Sequence, residues 1–280
     1  MEQHDNFKYS VLMSVYIHEE PSFLKQSIES MLNQTYEPDE IVIVKDGKLT
    51  KQLNEVINQY YELDPNLFTI VELENNVGLG LALNEGLKKC RNELVARMDT
   101  DDVSLPNRCE LLVNEFRTDK KLCIVGSYVD EFISDTKKII SSRIVPLEHS
   151  EILKYSRRRN PFTHPAVMYK RSKVLELGGY RDFRRNQDLE LFVRMLNNNC
   201  LSKNIDKPLL LFRANQENLK RRKSWQKCSS YIKLIFMFWR KGYSKLYDVI
   251  IIALSQLVVF IIPIKLFEWV SNKILRKASR

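Results

Sequence analysis

The sequence predicts an α/β fold, a mostly parallel sheet flanked by helices, followed by a helical tail of different character. Three observations carry this. Short runs rich in β-formers, at residues 9–16, 40–44, 68–71 and 94–98, alternate with segments of helical period. Right-handed crossovers turn that alternation into parallel strands with helices on both faces. Polar residues and glycines recur where those runs stop, at Tyr16, Asp46, Gly78 and Asp99 to Asp102, and in such sheets ligands bind beyond the carboxyl ends of the strands. Composition then shifts to apolar and basic near the end. The expected division is residues 1–215 for the α/β domain and 216–280 for the tail, within a 280-residue chain that is 44% hydrophobic and 28% charged. That is ordinary globular composition for one large domain plus an appendage.

The elements follow in order. Residues 9–16 form a buried first strand. Glu19, Glu20 and Pro21 open a helix whose apolar face is Phe23, Leu24, Ile28, Met31 and Leu32, with proline suited to the first turn. Residues 40–44 form a second strand, stopped by Lys45, Asp46 and Gly47. Glycine lets the backbone turn sharply there, and Asp46 is either a plain turn residue or a ligand-facing acid. A helix spans residues 49–61, a third strand 68–71. Asn75 to Gly80 is a loop opening the next helix, and Gly78 permits close approach of a phosphate, although a lone Gly-x-Gly is more often a simple turn. The fourth strand ends at Arg97 and Met98. A helix follows Pro106 to Arg108, then a fifth strand over 122–127, short exposed strands over 132–144, a loop at 160–168 containing His164 and a turn at Gly178, Gly179 and Tyr180. A last helix over 187–196 has Leu189, Phe192, Val193 and Leu196 on its apolar side. Asp188 and Glu190 sit at its start, where the helix dipole alone favours acids; the functional reading is a carboxylate base.

Asp99, Asp101 and Asp102 crowd four positions just past a buried strand. Unpaired carboxylates so close repel one another, and Mg²⁺ or Mn²⁺ held by one or two carboxylates plus substrate phosphates relieves that repulsion. The alternative is a solvated acidic loop capping the next helix.

The formal net charge is +9. Basic runs at Arg157 to Arg159, Lys220 to Lys223 and Arg276 to Lys277 suggest an anionic partner. No nucleic-acid module or aromatic-rich single-strand platform is evident, so nucleic acid is excluded as a partner. Five scattered cysteines without Cys-x-x-Cys read as reduced, buried thiols. The opening residues are polar and carry no secretory signal pattern. Residues 249–264 are nearly unbroken apolar, interrupted by Ser255, Gln256 and Pro263 and flanked by Lys265, Trp269 and Lys273. A bilayer crossing takes about 20 apolar residues. The run is shorter, which favours helices lying on or partly in the inner leaflet, held by apolar burial and anionic lipid. A short transmembrane helix and a buried subunit interface are the alternatives.

Together these features resemble the family 2 inverting glycosyltransferases with the GT-A (nucleotide-diphospho-sugar transferase) fold, of the bacterial kind that builds capsule, exopolysaccharide or O-antigen. The resemblance runs from about residue 9 to 213, over segments 11–16, 27–36, 40–47, 76–86, 96–108, 160–168, 177–180 and 187–194. It implies transfer of a hexosyl residue from a UDP-sugar to a lipid-linked saccharide, with inversion, at the cytoplasmic side of the inner membrane. It implies that Ser14, Val15 and Tyr16 line the nucleobase pocket and that Asp46 bonds the uracil edge. Gly78 to Asn84 would lie by the ribose and diphosphate, and Arg97 and Asp99 by the nucleotide. Asp101 or Asp102 would ligate Mn²⁺ or Mg²⁺, and Asp188 would be the general base. The family often has Asp-Asp-Gly where this chain has Lys45-Asp46-Gly47, and Glu where it has Gln187, so contacts from those acids are missing here. Two other activities fit the same pattern: loading a sugar directly onto a polyprenyl phosphate, suggested by the apolar tail, and a non-catalytic nucleotide-binding membrane scaffold, suggested by Lys45 and Gln187.

Overall fold

A computed structural model describes residues 7–214 and 224–261. The first strand, β1 (Tyr9–Val15), shows how the sheet is built. Tyr9, Val11, Met13 and Val15 point into one buried layer, whereas Leu12 enters the layer on the opposite face. A strand covered on both faces reads as a continuous apolar run for this reason. β2 (Glu40–Lys45), β3 (Phe68–Glu72) and β4 (Leu94–Arg97) join it in parallel, in the order β3-β2-β1-β4.

Helices cover both sides. α1 (Pro21–Leu32) buries Leu24, Ile28 and Met31. α2 (Lys51–Leu63) is capped by Thr50, whose side chain accepts from the Leu53 amide at 3.3 Å. Both pack in the first layer with α4 (Arg108–Thr118). α3 (Leu79–Lys89) and α7 (Gln187–Leu196) fill the second.

The second half corrects the expectation of a mostly parallel sheet. β8 (Met168–Lys170) lies antiparallel between β4 and β6 (Leu122–Phe132). β6 pairs in parallel with β9 (Leu201–Arg213), and β5 (Val103–Ser104) and β7 (Ser141–Arg143) add antiparallel edges. The nine-stranded sheet is therefore mixed. Its reversal is physical: β8 starts from the buried turn His164–Ala166 and runs back down the sheet. The fifth strand also extends beyond residue 127, where the register with β9 breaks at Ser127, Tyr128 and Val129. Short helices α5 (His149–Ser156) and α6 (Arg171–Glu176) complete the domain.

The tail helices Trp225–Arg240 and Leu246–Ile261 pack onto this body. Leu234, Ile235 and Phe238 meet Leu189 and Val193 of α7, and Ile252 joins the same cluster. Arg158 pairs with the buried Asp248, and the Tyr231 hydroxyl donates to the Arg158 carbonyl at 2.7 Å. Ile250, Ile251, Leu254, Leu257, Val258 and Ile261 remain exposed. Among the described residues, no helix is long and apolar enough to cross a membrane. The basic run Lys220 to Lys223 and the residues Pro263, Lys265, Trp269, Lys273, Arg276 and Lys277 lie outside the described residues. The five cysteines are all buried.

Candidate active site

Three neighbouring parallel strands end on one rim. β1 stops at Val15, β2 at Lys45 and β4 at Arg97, so residues far apart in sequence converge. Tyr16 is 43% exposed and meets His18 edge-on at 5.7 Å, whereas Val15 is buried in the core and accepts the Asp46 amide at 2.8 Å. Ser14 is partly buried. Asp46 is itself buried. Its carboxylate accepts from the Val77 amide at 2.7 Å, the Gly78 amide at 3.1 Å and the Asn76 side chain at 3.0 Å. It thus ties the end of β2 to the loop that opens α3, and Gly78, with φ +91°, is the N-cap of that helix.

The acidic cluster follows β4. One carboxylate oxygen from each of Asp99, Asp101 and Asp102 lies within 4.8 Å of the other two. Asp102 is 1% exposed; its Oδ1 accepts from the Arg213 amide at 2.8 Å, and its Oδ2 is buried with no hydrogen-bond partner. A buried, unpaired carboxylate oxygen beside two further acids suits a cation. Burial, then the neighbouring Asp99 and Glu19 charges, push the Asp101 carboxyl up to about 7. Burial and the charges of Asp101 and Asp99 likewise raise Asp102 well above the usual carboxylate range. The donor set is all oxygen, the chemistry of Mg²⁺ or Mn²⁺.

Two arginines hold this loop from beneath. Arg97 is fully buried; Nη1 donates to the Leu12 carbonyl at 2.8 Å, and Nη2 pairs with Asp99 Oδ1. Its guanidinium is therefore spent on the loop rather than turned to open space. Arg213, the last residue of β9, donates from Nε to the Asp101 carbonyl at 2.7 Å and from Nη2 to Gln26 at 2.7 Å. Its guanidinium sits between the rings of Phe23 and Phe132, 3.8 and 4.5 Å from their centroids. Thr100 donates to Glu19, whose carboxyl is raised, chiefly by burial.

Asp99 also lines a cavity of about 890 Å³ together with Asp188, Asn160 and His164. Asp188 sits in the first turn of α7 and accepts from Asn160 Nδ2 at 2.6 Å. The Phe162 amide donates to Asn160 Oδ1 at 3.3 Å, which fixes the amide's orientation. Burial raises the Asp188 carboxyl above its ordinary range. His164 Nε2 lies 2.8 Å from the Tyr180 hydroxyl, itself 3.3 Å from the Tyr169 hydroxyl. Burial and then the Arg97 charge depress His164 well below the usual imidazole range, so it is neutral. Glu190, the other acid at the start of α7, is not in the cavity: Arg194 and Arg181 pair with it at 2.8 and 3.0 Å.

Arg194 also donates to the Gly179 carbonyl at 2.6 Å, and Asn84 clasps the Tyr180 backbone with two 2.7 Å bonds. At Gly179, φ is +67° and an added Cβ would lie 2.4 Å from Asn84 Oδ1, so only glycine fits this turn. From sequence alone Asn160 and Arg213 carry no role and Asn84 ends the segment expected beside the ribose and diphosphate, whereas its side chain is engaged by the Tyr180 backbone. Asn160 and Asn84 stood inside recognised segments; Arg213 ends a strand whose Lys203, Asn204, Asp206 and Pro208 break any apolar alternation.

The sequence model of "Glycosyl transferase family 2" matches residues 10–178. A UDP-Gal:alpha-D-GlcNAc-diphosphoundecaprenol beta-1,3-galactosyltransferase of Escherichia coli is 37% identical over 276 residues, 98% of each chain. The amylovoran biosynthesis glycosyltransferase AmsE of Erwinia amylovora is 35% identical, covering 81% of this chain and 84% of that one. Among solved structures, the mannosyltransferase PcManGT of Pyrobaculum calidifontis, in complex with GDP-Man and Mn²⁺, superposes with a TM-score of 0.60 at 16% identity, covering 95% of this chain and 79% of its own. S. aureus TarS 1–349 with UDP gives 0.59 at 15% identity, covering 84% and 72%. The solved structures share the fold; the family model spans β1 to β8 and the E. coli relative is similar along nearly the whole length, so this chain belongs to glycosyl transferase family 2.

Proposed function

We propose that the chain transfers a hexosyl residue, most simply galactose, from its UDP-sugar to a lipid-linked saccharide with inversion at the anomeric carbon. The observation that carries this is the single cavity holding both Asp99, from the acidic strand-end cluster, and Asp188, a desolvated carboxylate with a fixed hydrogen-bond donor. The E. coli relative, named for galactosyl transfer to a diphosphoundecaprenol-linked sugar, supports donor and acceptor class.

Asp101 and Asp102, with Asp99, would hold Mn²⁺ or Mg²⁺; when bound, the ion supplies charge neutralisation for the departing nucleoside diphosphate. Arg97 and Arg213 fix the loop that presents these acids. Asp188 takes the proton of the acceptor hydroxyl. The acceptor oxygen bonds to the anomeric carbon as the bond to the diphosphate oxygen breaks, and the electron pair leaves with UDP. One displacement inverts the centre. Desolvation of Asp188 strengthens it as a base while Asn160 keeps it aimed. His164 is a neutral hydrogen-bonding group on the cavity wall. Tyr16, Ser14 and the Asp46–Gly78 junction are assigned to the nucleotide, with Asp46 shaping the loop as well as offering its edge to the base.

The exposed apolar side chains of the Leu246–Ile261 helix are assigned to the cytoplasmic face of an anionic membrane, where a lipid-linked acceptor is presented. The deciding experiment supplies UDP-galactose, Mn²⁺ and an N-acetylglucosaminyl diphosphate lipid, and reads the new linkage by NMR. A β-linked galactoside meets the expectation; an α-linked product, or no transfer with any UDP-hexose, refutes it.

A further inference from the structure

Building on the transfer reaction above, we propose that the same cavity contains a second anionic subsite, formed by Arg143, Arg185 and Lys227, for the phosphate ester at the reducing end of the acceptor. The charge in the cavity is divided. Its acidic lining residues are Asp99 and Asp188; its basic ones are Arg143, Arg185 and Lys227. Those cations come from three separate elements: β7, the loop before α7 and the first turn of the Trp225–Arg240 helix.

Each has a structural reason to be there. Arg143 donates from Nε to the buried Glu131 at 2.6 Å and lies 3.9 Å over the Phe212 ring, so its guanidinium is fixed. Arg185 is exposed and has no carboxylate partner among the described residues. Lys227 stands in the first turn of a 16-residue helix whose N-cap, Ser224, also lines the cavity. A helix start adds partial positive charge to that of the side chains. Arg184 goes the other way: its Nη1 lies 4.0 Å from where a Gly78 Cβ would be, at the opening of α3. Consecutive arginines are thus sorted to two pockets, one beside the nucleotide loop and one beside Asp188.

The cavity therefore offers one ligand both a carboxylate for its hydroxyl and a set of cations for a dianionic group. Arginine and lysine together are the usual readers of phosphate esters. The helix that carries Lys227 and the Leu246–Ile261 helix expose Trp225, Leu254 and Val258, apolar surface suited to an alkyl chain on the phosphate. A neutral glycan satisfies only the first of these features.

The test measures equilibrium binding to the full-length protein of two probes with the same sugar: an N-acetylglucosaminyl alkyl diphosphate and the neutral alkyl N-acetylglucosaminide. Wild type is expected to prefer the diphosphate, and Arg185→Ala to reduce that preference about 10- to 100-fold, the range for losing a hydrogen bond to a charged group. Lys227→Ala shifts it in the same direction and covers the case in which the first variant misfolds. Arg143 is left intact because it pairs with the buried Glu131, so its loss would perturb the fold as well as the cavity. Equal binding of both probes by wild type, or an unchanged preference in both variants, overturns the subsite. Phosphatidylglycerol vesicles form a third arm: variants that lose vesicle binding while keeping probe preference show that these cations serve membrane headgroups, which also overturns it. Because binding is read without turnover, a diphosphate preference with no transfer sinks the proposed reaction and leaves the subsite standing.

Discussion

Replacing Asp101 with asparagine should strengthen the metal-free fold while destroying activity. Asp101 rises from 3.8 to about 7 because it is buried beside Asp99 and Glu19. A folded-state value above the unfolded one means the native state binds the extra proton. Stability therefore falls as pH rises from about 4 to about 7 and is flat above. At about 1.4 kcal/mol per pH unit, the full shift corresponds to a ceiling of about 4 kcal/mol. Water penetration and a high effective dielectric reduce the realised gain to about 2 kcal/mol. Asparagine carries no charge at any of these values, so D101N should melt about 4–8 °C higher than wild type at pH 8 in EDTA, with the gap closing by pH 4. Adding UDP and Mn²⁺ should reverse the order, because a ligand that binds only the native state raises its stability and D101N has lost a ligand atom. Differential scanning fluorimetry across pH, with and without Mn²⁺-UDP, checks both halves. A D101N protein no more stable than wild type at pH 8, yet equally stabilised by Mn²⁺-UDP, would refute the account of this cluster.

Other perturbations address the base, its support and the tail. Asp188→Asn should lower transfer by about 10²–10⁴-fold with UDP affinity kept, as read by calorimetry. Because burial raises the Asp188 carboxyl, wild-type kcat should fall on the acid side at a pH above the ordinary carboxylate range, the charged base being the active form. Asn160→Ala removes a donor that favours the charged form, so that acid limb should move to higher pH while donor KM stays within about twofold, a split between kcat and KM that mere misfolding does not produce. Gly179→Ala places a Cβ against Asn84 at positive φ and should cost about 1–3 kcal/mol in urea melts. Leu254→Asp combined with Val258→Asp, both on the exposed side of the last helix, should release the protein from anionic vesicles in a flotation assay without changing transfer to a water-soluble acceptor.

The first half of the chain was legible because β1, β2 and β4 are buried on both faces and are written as largely apolar runs, while the edge strand β3 is short and rich in β-formers. The parallel order of β1 to β4 follows from helices between strands, and the site lies at strand ends for the same reason. The second half was not legible in this way. β9 carries Lys203, Asp206 and Lys207 within the strand and is recognisable only through its pairing with β6; the antiparallel insertion of β8 depends on a chain reversal at His164–Ala166 that local sequence does not specify.

What the sequence by itself determined is chemistry: three carboxylates close together after a strand, a carboxylate opening a helix, glycines at turns, an apolar tail. Spacing and residue type suffice for these because they are local. What only the tertiary structure decided is which groups face one another and in what charge state. Asp99 and Asp188 share a cavity, although 89 positions separate them (188 minus 99). Arg97 turns inward to hold Asp99, and Arg213 arrives from the far end of the domain to brace the acidic loop. Burial, a property of the assembled fold, raises the carboxyls of Asp101 and Asp188 and keeps His164 neutral. Proton affinity is set by desolvation and neighbouring charge, and neither exists until distant segments have packed.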